Sequence, residues 1–168
     1  MYDYFVFSDD DIVLDDDFSA EVMSAIRSYG KESVLGFFGR NLNFENKKEE
    51  YTFGTDRETH DEIIPTDIVK GRFHIISQEG IQELEISELN TPILKSEDDI
   101  RASITLQKKF KKPSFLIPIK HKITKLPDPY ALEYRDHHKE YRDQAVLEAL
   151  RLGWVPISAE HSKKQIIQ

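Results

Sequence analysis

The sequence predicts an α/β fold in which a mixed sheet is flanked by helices. Apolar runs of strand length alternate along the chain with longer stretches that have the apolar period of a helix. Near the N-terminus, one run, one helix-length stretch and a second run form a βαβ unit, which makes its two strands parallel. The predicted strands lie at residues 4–7, 33–38, 63–76 and 114–119, and the main predicted helices at 18–29, 96–110 and 134–152.

The first predicted strand is the stretch around which the chain is organised. Residues 4–7 are Tyr-Phe-Val-Phe, a continuous apolar run that is typical of a strand buried on both faces. The run ends abruptly in Ser8 and three acids, Asp9, Asp10 and Asp11. Carboxylates at the end of a buried strand are costly to desolvate unless they are paired or bind a metal. This strand end is therefore a candidate ligand site.

Asp9 and Asp11 are the predicted metal ligands of this segment. They are two residues apart, so they point to the same side of an extended chain. Carboxylates are the hard oxygen donors that Mg2+ or Mn2+ prefers. An acidic turn explains the same residues, because Asp favours turns and helix N-caps. We prefer the turn for the second acid cluster, residues 15–17, because a helix follows it.

The next elements follow from local patterns. Residues 18–29 carry apolar side chains at i, i+4, i+8 and i+11, which predicts an amphipathic helix that Gly30 terminates. Residues 33–38 form the second apolar run and are predicted to be a buried strand. Residues 40–62 are polar and highly charged, and we expect them to form a long surface excursion.

Lys70-Gly71-Arg72 interrupts the apolar residues 63–76. Glycine lets the backbone approach a ligand closely, and two cations beside it suit a phosphate group. These residues are therefore candidates for binding a phosphorylated cofactor or substrate. A tight hairpin turn explains the same tripeptide equally well, and the sequence leaves both interpretations open.

The second half of the chain is predicted to add helices and one strand. Residues 78–90 read as a short helix or a loop. Ser96 with Asp99 resembles a capping box at the start of the helix at 96–110. Pro118 places the following strand at a sheet edge or near its own end.

The last predicted helix, at residues 134–152, is followed by Gly153 and by a short strand at residues 154–157. Its apolar positions predict which side chains it buries. These are Tyr134, Tyr141, Ala145, Leu147, Leu150 and Leu152.

Composition and charge restrict the class of protein. Of 168 residues, 39% are hydrophobic and 32% charged, which predicts one domain at residues 1–158 with a polar tail at 159–168. The net charge of −8 argues against nucleic-acid binding. No apolar stretch is long enough for a transmembrane segment, and the acidic N-terminus is unlike a signal peptide. The absence of cysteine favours a cytoplasmic location.

The charges are unevenly distributed. Residues 1–21 contain eight acids, whereas residues 108–125 contain seven lysines and no acid. An acidic pole suits a cation and a basic segment suits an anion. Solvated lysines at helix ends and edge strands explain the basic segment as well, so both interpretations stay open.

Two motifs resemble those of GT-A glycosyltransferases. The string Tyr-Phe-Val-Phe-Ser-Asp-Asp-Asp-Ile at residues 4–12 resembles the DxD strand of that family. About ninety residues later, Glu97-Asp98-Asp99-Ile100 opens an amphipathic helix, with a short hydrophobic strand after it, and resembles a second motif. Exostosin-like and small viral or bacterial members are the most similar, and the resemblance covers roughly residues 2–120.

The resemblance implies a role for each motif. Asp9 and Asp11 match the DxD carboxylates, with which the family binds Mn2+ or Mg2+ and holds the diphosphate of a nucleotide-sugar donor: Asp11 would be the metal ligand, and Asp9 would face the nucleotide ribose or the metal. In inverting members, the acid of the second motif is the general base that deprotonates a hydroxyl of a glycan or other acceptor, and it matches Asp98 or Asp99. GT-A enzymes often supply a further metal ligand from a C-terminal His, for which His137 and its neighbour His138 are candidates, although a surface position explains them too.

The position of the DxD string departs from the family. GT-A domains usually place this motif about a hundred residues into the chain, after the strands that hold the nucleotide base. We therefore expect a partial GT-A-like, Rossmann-like sheet whose N-terminal nucleotide-binding strands are missing. Residues 4–7 would then have an open edge, where a second copy of the chain or a missing partner segment would pair.

Two other functions remain open at this point. One is a non-catalytic α/β interaction or carbohydrate-binding module that has kept the fold without the donor site. The other is a metal-dependent nuclease or phosphatase, which also uses acids at strand ends, but the sequence offers no third acid or lysine motif for it.

Overall fold

The computed structural model describes residues 3–10, 12–13, 18–43, 47–53, 61–118, 124–125 and 137–157. It confirms a mixed α/β fold. The helices are α1 (Phe18–Tyr29), α2 (Gln78–Ile86), α3 (Pro92–Lys95), α4 (Asp98–Phe110) and α5 (His138–Arg151). The strands are β1 (Tyr4–Ser8), β2 (Ile12–Val13), β3 (Leu35–Gly36), β4 (Gly39–Asn43), β5 (Lys48–Phe53), β6 (Ile64–Thr66), β7 (Ile68–Val69), β8 (Phe73–Ser77), β9 (Ser114–Leu116) and β10 (Thr124–Lys125).

The main sheet has five strands in the order β1-β8-β3-β9-β6. Strands β3 and β9 are parallel, and the other neighbours are antiparallel. The predicted βαβ unit is right in direction, because β1 and β3 both run antiparallel to β8. It is wrong in adjacency, because β8 lies between them. Two smaller sheets have the orders β5-β4-β7 and β10-β2.

Helices cover both faces of the main sheet. Along β8, side chains alternate between the faces: Phe73 and Ile75 pack in a core cluster with α1, and Ile76 packs in another with α2 and α4. A third cluster joins α3, α4 and α5 to Leu42 and Ile68 of the three-stranded sheet. Strand β8 therefore contributes side chains to the core on both faces of the main sheet.

The prediction that residues 4–7 form a strand buried on both faces is wrong. Among the strands that the structure describes, β1 lies at the end of the main sheet and pairs with β8. Its apolar side chains are substantially exposed, Val6 to 55%. Within the described part of the chain, the apolar run therefore marks a sheet edge with large exposed hydrophobic side chains, which is a surface that favours pairing with another chain.

The interpretation of residues 40–62 as an irregular excursion is also wrong where the structure describes them. Strands β4 and β5 form an antiparallel pair beside β7. Residues 70–72 are not a hairpin turn either, because β7 and β8 belong to different sheets. The tripeptide is instead the crossover between the two sheets.

Helix α1 has the predicted limits. Of the two structures predicted for residues 78–90, a short helix or a loop, the helix is right, because α2 spans residues 78–86. The predicted capping box is wrong, because α4 begins at Asp98 with Glu97 as its N-cap. Ser96 instead ends the unpredicted helix α3. The predicted strand at residues 154–157 does not form, and Trp154 packs as a buried side chain.

The predicted buried positions of helix α5 are right in part, because Ala145 is buried and Leu150 and Leu152 pack against the cluster of α3, α4 and α5. Tyr141 and Leu147 are 52% and 46% exposed, and Tyr134 lies outside the described residues. The buried side chains are those of Arg142, Ala145, Val146 and Ala149. Among the helices described here, none is long and apolar enough to cross a membrane.

Candidate functional site

The crossover at residues 70–72 connects the end of β1 to the start of α4. The backbone N–H of Asp9 donates to the carbonyl oxygen of Arg72 at 2.9 Å. The backbone N–H of Gly71 donates to Oδ2 of Asp99 at 3.2 Å. A Cβ on Gly71 would meet Cβ of Asp99 at 3.6 Å. The two acid-bearing motifs of the sequence therefore share one end of the fold, with this loop between them.

Asp99 is the anchor of the α4 N-terminus. Its side chain is buried, and Oδ1 accepts the backbone N–H of Ile100 at 2.7 Å. The guanidinium of Arg142 donates to both of its carboxylate oxygens, at 3.0 and 3.1 Å. This bidentate pair fixes α5 against α4.

Arg142 is the centre of a buried charge cluster. Besides the pair with Asp99, it donates to Glu97 at 2.9 Å and to Glu49 at 3.0 and 3.2 Å. All five N–H donors of the guanidinium are thus engaged. Arg40 lies 3.4 Å from the same Glu49 carboxylate. Three carboxylates, one from β5 and two from the start of α4, are thus held together by Arg142.

The cluster alters the acidity of its members. Burial raises the pKa of Glu97 to about 7, although the charge of Arg142 acts to lower it. The nearby charges of Asp99 and Glu49 add to the rise. Burial also acts to raise the pKa of Asp99, but the charge and hydrogen bonds of Arg142 outweigh it, so this pKa lies below its usual value. Asp99 is therefore a carboxylate at neutral pH, whereas Glu97 changes its protonation there.

We expect the protein to lose stability between pH 5 and 8 through Glu97, by roughly 1 to 3 kcal/mol. Its folded pKa of about 7 is above the unfolded value of 4.5. The stabilisation is therefore complete below the unfolded pKa and is lost as the pH rises through the folded one. Urea unfolding at a series of pH values would measure this slope, and Glu97→Gln should flatten it.

The matched control is Glu88→Gln, because the partner Lys108 lowers the pKa of Glu88 and removes its titration from this range. His138 acts in the opposite direction, since burial and the charge of Arg142 lower its pKa. The pH dependence of stability is therefore compared between wild type and Glu97→Gln, because His138 is present in both. Equal slopes in wild type and Glu97→Gln would contradict the assignment.

Asp98 differs from Asp99 in its exposure to solvent and in its hydrogen-bond partners. Its side chain is exposed, and Oδ1 accepts the backbone N–H of Asp99 at 2.9 Å. It lines a cavity of about 450 Å3 between the sheet and helices α2 and α4. A carboxylate in this position is accessible to a bound molecule, whereas Asp99 is occupied by Arg142.

The other predicted site residues fall into three groups. Asp9 and Arg72 are joined through their backbones, but the cationic groups of the crossover diverge, because the Arg72 guanidinium lies 6.0 Å from the Phe38 ring centroid and the Lys70 charge acts on Asp99. Asp11 lies outside the described residues. His137 is exposed, with its ring 3.9 Å from Glu140, while the neighbouring His138 feels the charges of Arg142, Lys70 and Asp99.

The structure brings no group of three or more His, Asp and Glu side chains into metal-binding geometry among the residues it describes. Asp9 has an exposed carboxylate on a backbone held by the crossover, which suits one oxygen ligand of a divalent cation. The Mn2+ or Mg2+ ion and the role of Asp11, which lies outside the described residues, stay predictions.

The basic segment at residues 108–125 is engaged in ion pairs where it is described. Lys109 lies 2.8 Å from Glu83, and Lys112 pairs with Glu32. Lys108 pairs with Glu88 and also donates to the carbonyl oxygen of Leu152. These contacts support the interpretation of the segment as solvated, ion-paired surface.

The sequence analysis missed Arg142 and Glu49. A signal for Arg142 was present, because Arg142, Ala145, Val146 and Ala149 occupy i, i+3, i+4 and i+7 of one helix face. Nothing local marked Glu49, which lies in a charged stretch whose pairing depends on β4 and α5.

No protein-family model matches the chain, and no curated protein is similar enough in sequence to count as a relative.

Proposed function

We propose that the chain is a metal-dependent glycosyltransferase, or the catalytic half of one. It would transfer a sugar from a nucleotide-sugar to a hydroxyl group of a glycan or other acceptor. The observation that carries the proposal is the crossover at residues 70–72, which contacts both Asp9 and Asp99. Two motifs that resemble those of GT-A enzymes, far apart in sequence, thus meet at one place in the fold.

The donor would bind at the end of β1. Asp9 and Asp11 would hold Mn2+ or Mg2+, which when bound neutralises charge on the leaving diphosphate. Lys70, whose charge acts on Asp99 at the start of α4, would attract the diphosphate from that side, and Arg72, whose guanidinium lies over the Phe38 ring, from the side of α1. The hydrogen bond from Asp9 to Arg72 keeps the acid segment beside the crossover.

Asp98 would act as the general base. It would take the proton of the acceptor hydroxyl while that oxygen forms a bond to the anomeric carbon and the bond from this carbon to the diphosphate breaks. The nucleoside diphosphate leaves with the electron pair. Asp99 holds the start of α4 in place through Arg142 and Gly71, and so positions Asp98.

Calorimetric titration with Mn2+ and nucleoside diphosphates tests the donor site. We expect binding that requires the metal and is lost in Asp9→Asn and Asp11→Asn, because each removes a charged oxygen ligand. Asp10→Asn is the matched control, since it removes one carboxylate from the same segment at a residue that is not assigned as a metal ligand. A well-folded chain without metal-dependent nucleotide binding would contradict the proposal.

The alternative is a non-catalytic interaction or carbohydrate-binding module. The exposed apolar side chains of β1 favour it, because such an edge suits pairing with a second copy or another protein segment. Binding of a glycan without any binding of nucleotide and metal would support this alternative. For either function we propose a cytoplasmic location, on the absence of cysteine.

A further inference from the structure

The cavity that contains Asp98 has a lining suited to a sugar. It lies on the α2 and α4 side of the sheet and measures about 450 Å3, which is within the range of sites for small molecules. Apolar side chains of β8 and α2 form part of its wall, and polar and charged groups complete it. The aromatic and charged side chains of the lining are Phe7, His74, Glu85, Lys95, Asp98 and Arg101.

An aromatic surface forms one side of the cavity. The ring of Phe7 stacks on His74 with a centroid distance of 4.7 Å and an interplanar angle of 18°. Phe7 is exposed, whereas His74 is buried with Nδ1 3.3 Å from the carbonyl oxygen of Gly71. An exposed ring supported from behind offers its outer face to the apolar face of a sugar ring.

Two cations line the same cavity. Nη1 of Arg101 donates to Oδ1 of Asn90 at 2.6 Å, which orients the guanidinium. Nε of Arg101 is buried and has no hydrogen-bond partner in the described parts of the chain. Because Nε is shielded from solvent, a carboxylate in the cavity would pair with the terminal nitrogens of this guanidinium. Lys95, an exposed residue, adds a second positive charge to the lining.

Two acids complete the set of charged groups. Glu85 and Asp98 are both exposed members of the lining. Carboxylates accept hydrogen bonds from hydroxyl groups, so they suit the O–H groups of a sugar rather than its acidic group. The cavity therefore offers an aromatic face, hydrogen-bond acceptors for hydroxyls, and a cationic corner at Arg101 and Lys95.

We infer that this cavity is the acceptor site and that it selects a sugar bearing a carboxylate, a uronic acid. The inference rests on the proposed function, and Asp98 connects the two because it lies at the cavity. The sugar ring packs on Phe7, its carboxylate pairs with Arg101 and Lys95, and a hydroxyl is directed to Asp98. Arg101 is the residue that determines specificity.

Saturation-transfer NMR with two small glycosides tests the inference, in the absence and in the presence of Mn2+ and UDP. Methyl β-D-glucuronide is expected to bind about tenfold more tightly than methyl β-D-glucoside, which has a neutral hydroxymethyl group in place of the carboxylate. Arg101→Met should abolish this difference and leave glucoside binding unchanged. Phe7→Ala should weaken the binding of both glycosides.

Arg151→Met is the matched control, because Arg151 lies on the exposed side of α5 and pairs with Glu148. Equal affinity for the two glycosides, an unchanged preference in Arg101→Met, or no binding of either would overturn the inference. Nucleotide binding without a glucuronide preference overturns this inference alone. Glucuronide binding without nucleotide binding instead contradicts the transferase and leaves a carbohydrate-binding site.

Discussion

Replacement of Arg142 by methionine is expected to lower the free energy of unfolding by about 3 to 5 kcal/mol, because it leaves buried carboxylates without their cation. Methionine keeps the length and apolar stem of the side chain, so the loss comes from charge and hydrogen bonds. Arg142 satisfies Glu49, Glu97 and Asp99 at once. Urea unfolding followed by circular dichroism would measure the change.

Arg151→Met on the same helix provides the control for this prediction. Its ion pair with Glu148 is solvent-exposed, and such pairs contribute at most about 1 kcal/mol. Arg142→Lys is expected to restore little of the stability, since an ammonium group cannot reproduce the five-donor fork. Equal unfolding midpoints for Arg142→Met and wild type would show that the cluster does not stabilise the fold.

The same residue shows where the sequence was informative and where it was not. Helices α1 and α4 were predictable, because their apolar period is local and their ends carry stop signals. The buried face of α5 was not, because choosing it by hydrophobicity assigns Arg142 to solvent. Its burial depends on three acids that lie 43, 45 and 93 residues away in sequence.

The strands gave a similar result. The apolar run at residues 4–7 correctly predicted a strand, but its position at the sheet edge depends on which strands pair, and this is not a local property. The charged stretch of β4 and β5 resembles a loop in sequence, because the distant partners of its charges, Arg142 and Asp143, come from α5. The pair with Arg142 allows the charged side chain of Glu49 to be buried, with 3% of its surface exposed.

The second large effect separates the two acids at the start of α4, which the sequence left as alternatives. Asp98→Asn is expected to keep wild-type stability and to lower the rate of sugar transfer by about 10²- to 10⁴-fold, the usual contribution of a general base. The amide retains an oxygen that accepts the N–H of Asp99, so the helix start is preserved. Release of nucleoside diphosphate in the presence of acceptor would measure the rate.

Asp99→Asn should produce the opposite pattern. It removes the charge that pairs with Arg142, so it is expected to lower the unfolding midpoint. If Asp99→Asn also reduces sugar transfer, the cause should be a displacement of α4, so substrate affinity and transfer rate should fall together. Full activity in Asp98→Asn would exclude it as the base. The two variants together test the base, because Asp98 and Asp99 share a helix turn but differ in burial. A distortion of this turn would lower the stability of both variants. A loss of transfer rate without a loss of stability, confined to Asp98→Asn, therefore reports on the base itself.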